Sequence, residues 1–149
     1  MKRFAIFTAV LISVLAPQVR AEDQDQCSNG SMRGQYSFAA SGTINGSPFA
    51  TAGYGMYDGH GNVQGVIQAS LNGNVLPAKG WNGTYTVSAM TAGTTPGGPT
   101  VCVLNKTLTI PGYNNLTVSF FVTAAKNFRD LRFIATTPGT TVSGTATKE

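Results

Sequence analysis

One histidine, two carboxylates in the middle of the chain, two cysteines and one lysine set among apolar residues are the groups this sequence offers for chemistry. His60 lies between Gly59 and Gly61 in the turn cluster Asp58-Gly-His-Gly-Asn62, where a solvated turn residue is the expected role. A triad built on histidine would have no other candidate. Zinc is excluded on the same count, with no second histidine and only two thiols. Asp58 and Asn62 could offer oxygens to calcium, yet a calcium loop needs more carboxylates and a closing bidentate Glu, so an Asx-type hairpin turn is expected. Glycosidase chemistry needs two acids on facing elements; only Asp58 and Asp130 are available, and Asp58 sits in a turn. Phosphate-cradling glycines require a following helix, and none follows here. No catalytic residue, metal or cofactor is identified.

Lys106 is the most informative cation. By alternation it shares a row with Cys102, Leu104, Leu108 and Ile110. Facing a lumen, its amine would sit among hydrophobes with a lowered pKa. The alternative, preferred on the sequence alone, is that a bulge near Asn105 turns it outward or that it snorkels to the rim. The aromatics are the other resource. Tyr36, Phe38, Tyr54, Trp81, Tyr85 and Phe133, with Lys106, are the candidate ligand-contacting residues, apolar bodies with a few polar tips.

These residues must be positioned by strands. The run Pro48–Gly65 reads as a hairpin, two strand-forming stretches around a glycine- and asparagine-rich turn that tolerates positive φ. The same grammar recurs along the chain. Strands are expected at 34–44, 49–57, 62–71, 81–87, 101–110, 116–125, 128–136 and 140–147, with Asn45-Gly46, Asn72-Gly73, Pro111-Gly112 and Pro138-Gly139 among the turns and a Gly/Thr/Pro-rich loop at 92–99. In 62–71 the dry face is Val63, Gly65, Ile67, Ala69 and Leu71, and Gln64 and Gln68 are wet. No stretch has a helical period. The expectation is an all-β chain, an eight-stranded antiparallel up-and-down β-barrel, with a two-sheet β-sandwich as the alternative. The alanines and glycines of the first three strands either leave room in a lumen or permit tight strand coiling.

Lys2 and Arg3 precede an apolar run from Phe4 to Ala16, and Val19-Arg20-Ala21 places small residues around a cleavage point. Residues 1–21 are read as a signal peptide, and no later stretch is long enough to be a membrane-spanning helix. Removing the leader takes away Lys2, Arg3 and Arg20 and lowers the net charge from +4 to +1. A chain so nearly neutral, with scattered cations, has no nucleic-acid footprint. About 128 residues remain, enough for one core. They divide into an arm over 22–33 and a barrel domain over 34–149. Cys27 and Cys102 meet an oxidising compartment after export and are expected to pair, pinning the arm. The expected location is secreted or periplasmic.

The phrases Gly34-Gln-Tyr-Ser-Phe, Ser41-Gly-Thr-Ile, Pro48-Phe-Ala, Asp58-Gly-His-Gly-Asn-Val-Gln-Gly, Asn72-Gly, Gly83-Thr-Tyr-Thr-Val and Arg132-Phe-Ile-Ala-Thr-Thr-Pro-Gly-Thr-Thr-Val-Ser-Gly-Thr-Ala resemble a group of small exported bacterial proteins. With them the chain is similar to barrels of the allene oxide cyclase-like and calycin type. The resemblance implies a barrel fold far more than a reaction, since its motifs are turn glycines and strand fillers. The function expected is binding of a small, largely apolar ligand in the lumen, with a cofactor-free cyclase or isomerase as its catalytic version. The alternative is a structural or adhesive module with a filled core. An outer-membrane barrel is disfavoured by the wet Gln64 and Gln68 and by a C-terminus without an aromatic.

Overall fold

A computed structural model describes residues 27–91, 93, 98–125 and 127–149. The proposed signal peptide, the first residues of the arm and most of the 92–99 loop lie outside the described residues.

Nine strands follow one another along the chain: β1 (Gly34–Ile44), β2 (Ser47–Tyr57), β3 (Asn62–Leu71), β4 (Asn74–Val75), β5 (Lys79–Thr91), β6 (Thr100–Ile110), β7 (Leu116–Ala124), β8 (Asp130–Ala135) and β9 (Ser143–Lys148). All pairings are antiparallel, and each long strand pairs with its sequence neighbours. The ring is completed by β1 against β9, with Phe38 opposite Ala146. Eight strands therefore close an up-and-down barrel, and the two-residue β4 folds back on the end of β3 outside the ring. This single hydrogen-bonded ring rules out the two-sheet sandwich. Followed once round, the pairing register returns to β1 about ten residues from its start, a stagger that matches the strand tilt of roughly 35–45° needed for closure.

The differences from the expected strands are local. β5 runs from Lys79 to Thr91, beyond the expected 81–87, because β6 offers it partners as far as Thr100. β8 and β9 are shorter than expected, since Phe128 takes a left-handed backbone at φ 52 before β8 and a turn at Gly139 delays β9.

Alternation sets the inward rows, although Val103 on the opposite face of β6 is also buried. Tyr36, Val63, Ile67, Trp81, Leu104, Leu108, Val118, Val122 and Leu131 face inward and are buried. At one end, Cys27 is joined to Cys102 with their Cα atoms 5.3 Å apart, so the arm is pinned as expected. The arm then makes a 3-10 turn over Asn29–Met32 and delivers Met32, fully buried, into that end of the barrel. Met32 and Phe128 close it. The other end, at the β1–β2 turn and the Pro111–Tyr113 turn, is rimmed by the partly exposed Ile44, Phe49 and Leu116.

The strand glycines have a definite job. A Cβ at Gly65 would overlap the Tyr54 carbonyl oxygen and lie 2.8 Å from the Trp81 ring, and one at Gly55 would also lie 2.8 Å from that ring. Gly53 receives Phe38 and Gly144 receives Phe133 in the same way, at 3.0 and 2.7 Å. Missing side chains let neighbouring strands coil closely and give aromatic rings a seat on the backbone. Both sequence-based readings of these residues apply, but the room they leave is taken mainly by the chain's own rings.

Candidate functional site

The closed end carries a tyrosine layer. Tyr57 makes edge contacts with Tyr36 and Tyr85, both at 5.1 Å between ring centres. The outer two are fastened to the backbone: Tyr36 donates to the Phe128 carbonyl at 2.8 Å, while Tyr85 donates to the Asn29 carbonyl and accepts from the Gly59 N–H. Burial raises all three phenols, Tyr36 to about 12, because the ionised form would lose its hydration. They are therefore neutral hydrogen-bonding groups at any ordinary pH.

Against this layer stands Lys106. Its Nζ donates to the Tyr57 hydroxyl at 2.9 Å and lies 5.5 Å from the ring centres of Tyr57 and Trp81, 5.8 Å from Phe120 and 5.9 Å from Phe133. The outward or rim placement preferred from the sequence is thus overturned. β6 has no bulge at Asn105; the ladder runs unbroken from Tyr85↔Lys106 to Lys106↔Phe120 on either side, so alternation carries Lys106 inward. Four aromatic faces compensate for part of the lost hydration. Removal from water nevertheless lowers its pKa to about 8.

From this chamber a narrow cavity of about 50 Å³ runs toward the open end. Its wall includes Phe38, Trp81, Phe120 and Phe133, and the rim is formed by Ile44, Phe49, Leu116 and Thr140. Trp81 is 3% exposed, and its Nε1–H has no hydrogen-bond acceptor. Asp58, Asp130 and Glu149, the carboxylates among the described residues, are all exposed, and none lines the cavity. Among the described residues the cavity wall thus carries one cation and no anion.

Of the seven candidate residues, Tyr36, Phe38, Trp81, Lys106 and Phe133 line the cavity. Tyr85 is buried but belongs to the layer at the closed end. Tyr54 is a correction: it is 41% exposed on the outer wall, because the inward row of β2 is Phe49, Thr51, Gly53, Gly55 and Tyr57. Strict alternation from Phe49 would have exchanged Tyr54 for Tyr57, the hydroxyl that Lys106 meets.

The turn cluster behaves as expected of an Asx turn. Asp58 accepts from the backbone N–H groups of His60 and Asn62 at 2.7 and 3.0 Å, and from the Asn62 side-chain amide at 2.7 Å. These bonds, led by the Asn62 amide, hold its carboxyl near 2. Among the described residues no cluster of His, Cys, Asp and Glu could hold a metal ion.

No protein-family model matches this chain, and no curated protein does. Among solved structures it is similar to a redesigned β-barrel, b11L5F_LGL, with TM-score 0.51 and 14% identity over 82% of this chain and 95% of the other. It is also similar to EF1p2_mFAP2b, a structure bound to DFHBI, with TM-score 0.50 and 10% identity over 83% of this chain and 98% of the other. At such identities the likeness is one of fold, a closed β-barrel.

Proposed function

We propose that this protein is a secreted or periplasmic carrier that takes a small, largely apolar ligand into its barrel lumen. The observation that carries the reading is Lys106 Nζ, held by the Tyr57 hydroxyl as the one charged group on the wall of an otherwise aromatic- and aliphatic-lined cavity. An apolar cavity with a few converging polar groups is the usual form of a small-molecule site. Support comes also from a barrel of the same fold that has been solved bound to DFHBI. Export is supported by the charged and apolar leader pattern and by the Cys27–Cys102 disulfide, which suits an oxidising compartment.

The free space is small. About 50 Å³ is room for one or two waters, against roughly 150 Å³ for a cavity that takes benzene. A ligand of that size or more would have to displace Phe38, Phe49 and Phe133, which line the cavity and keep partial exposure. The catalytic version of this reading is a cofactor-free cyclase or isomerase working by shape, with Lys106 and Tyr57 as a polar pair in the lumen.

Trp81 is the sole tryptophan, so its emission reports the lumen directly. The test is native mass spectrometry of the mature, oxidised protein from its own host, with fluorescence titration against fatty acids and polyketide-like aromatics. A mass adduct lost on denaturation and a saturable change in emission are expected. A bare mass, and emission indifferent to every compound, would leave a filled structural module.

A further inference from the structure

We propose that the ligand is an organic monocarboxylate, a small apolar acid whose carboxylate is received by Lys106 Nζ. This rests on the luminal reading above and names the chemistry of its ligand.

Count donors and acceptors in the chamber. An ammonium has three N–H donors, and Lys106 uses one, on Tyr57. Trp81 contributes its ring, its Nε1 being sealed from the cavity. Thr51 also lines the cavity, but its hydroxyl is committed to the Gln68 carbonyl. The chamber is therefore rich in donors and short of acceptors, the reverse of a site for an amine or a metal ion.

Charge narrows the choice. Lys106 faces Tyr57 on β2, Trp81 on β5, Phe120 on β7 and Phe133 on β8, with Tyr36 and Tyr85 beyond Tyr57. None of these is an anion below about pH 10, and no carboxylate lines the cavity. A half-buried ammonium without an opposite charge is costly, and one negative charge would balance it. A phosphate dianion overshoots that balance and asks for more donors than the chamber holds. A neutral alcohol leaves the ammonium uncompensated. A carboxylate has one charge and two oxygens for the two N–H donors that Lys106 does not spend on Tyr57. Its apolar body would lie along Phe38, Ile110, Leu116 and Val118 toward the rim.

The experiment compares hexanoate with hexan-1-ol by calorimetry and Trp81 fluorescence on the mature, disulfide-bonded protein at pH 7. Hexanoate is expected to bind about tenfold more tightly or better, the range of a charge-assisted hydrogen bond. Lys106→Met should erase that preference while keeping the alcohol's affinity, and the preference of the native protein should fade above pH 9 as Lys106 loses its proton. Equal binding of acid and alcohol overturns the carboxylate assignment and leaves luminal binding standing. Binding of neither overturns both readings. A preference that survives in Lys106→Met overturns the role of Lys106. Should that variant fail to give the native near-ultraviolet dichroism, calorimetry on the native protein decides: its preference for hexanoate at pH 7 must be lost at pH 10, and an unchanged preference overturns the proposal.

Discussion

Lys106 Nζ and the Tyr57 hydroxyl meet at 2.9 Å inside the barrel, a cation held by a neutral phenol and by aromatic faces rather than by a carboxylate. Such a charge is tolerated more than it is stabilised, and its cost depends on pH.

Between about pH 8, where folded Lys106 releases its proton, and the ordinary lysine range near 10.5, the unfolded chain binds a proton that the folded chain does not. Stability must rise with pH across that window, by about 3 kcal/mol at most. Below it both states are protonated and the penalty is constant. Above about pH 10 the trend reverses, because Tyr36, Tyr57 and Tyr85 stay protonated in the fold after their unfolded counterparts ionise. Urea midpoints measured from pH 7 to 11 should pass through a maximum near pH 10. A flat profile between 8 and 10 would show that Lys106 titrates normally.

Lys106→Met removes the uncompensated charge and keeps an unbranched chain of similar length. It should stabilise the protein at pH 7 by about 1–3 kcal/mol and flatten the rise between pH 8 and 10. Chemical denaturation at the two pH values checks both points.

Gly65 and Gly80 offer a matched pair. Gly65→Ala drives a methyl into the Tyr54 carbonyl and the Trp81 ring, whereas the nearest atom to a Cβ at Gly80 is the Gly65 carbonyl oxygen at 3.9 Å. The first should cost about 3 kcal/mol or more through overpacking in a coiled strand, and the second should stay within about 0.5 kcal/mol. Thermal melts of the two variants side by side suffice.

The plug at the closed end should matter more than its short sequence suggests. Met32→Ala empties a fully buried site and is expected to cost about 2–5 kcal/mol. Replacing Cys27 and Cys102 by serine opens a loop of 75 residues, for which the chain-entropy model gives roughly 4 kcal/mol. Equal melting temperatures with and without reductant would contradict this.

Period-two alternation was enough to find the inward rows of β3 and β6, since Val63, Ile67 and Ala69, and likewise Cys102, Leu104 and Leu108, are buried. The barrel followed from hairpin turns at regular spacing. Lys106 was misplaced for a different reason. The rings that receive it belong to β2, β5, β7 and β8, and they converge only when the ring closes in this register, a long-range fact that local spacing does not carry. The glycines were ambiguous for the same cause: Gly55 and Gly65 lie side by side in the β2–β3 ladder, and the ring that fills their gap, Trp81, comes from a third strand. Nor does composition reveal that an indole N–H lacks an acceptor.

The pairing of the first strand with the last has a consequence for how the protein is made. Until Ser143–Lys148 is available, β1 has no second neighbour, and a nascent chain is at best an open sheet with two bare edges. The barrel can close only after synthesis has passed Ser143–Lys148. A chain whose β9 has not yet been delivered therefore holds nothing finished to unfold, and the completed form appears wherever β9 meets β1.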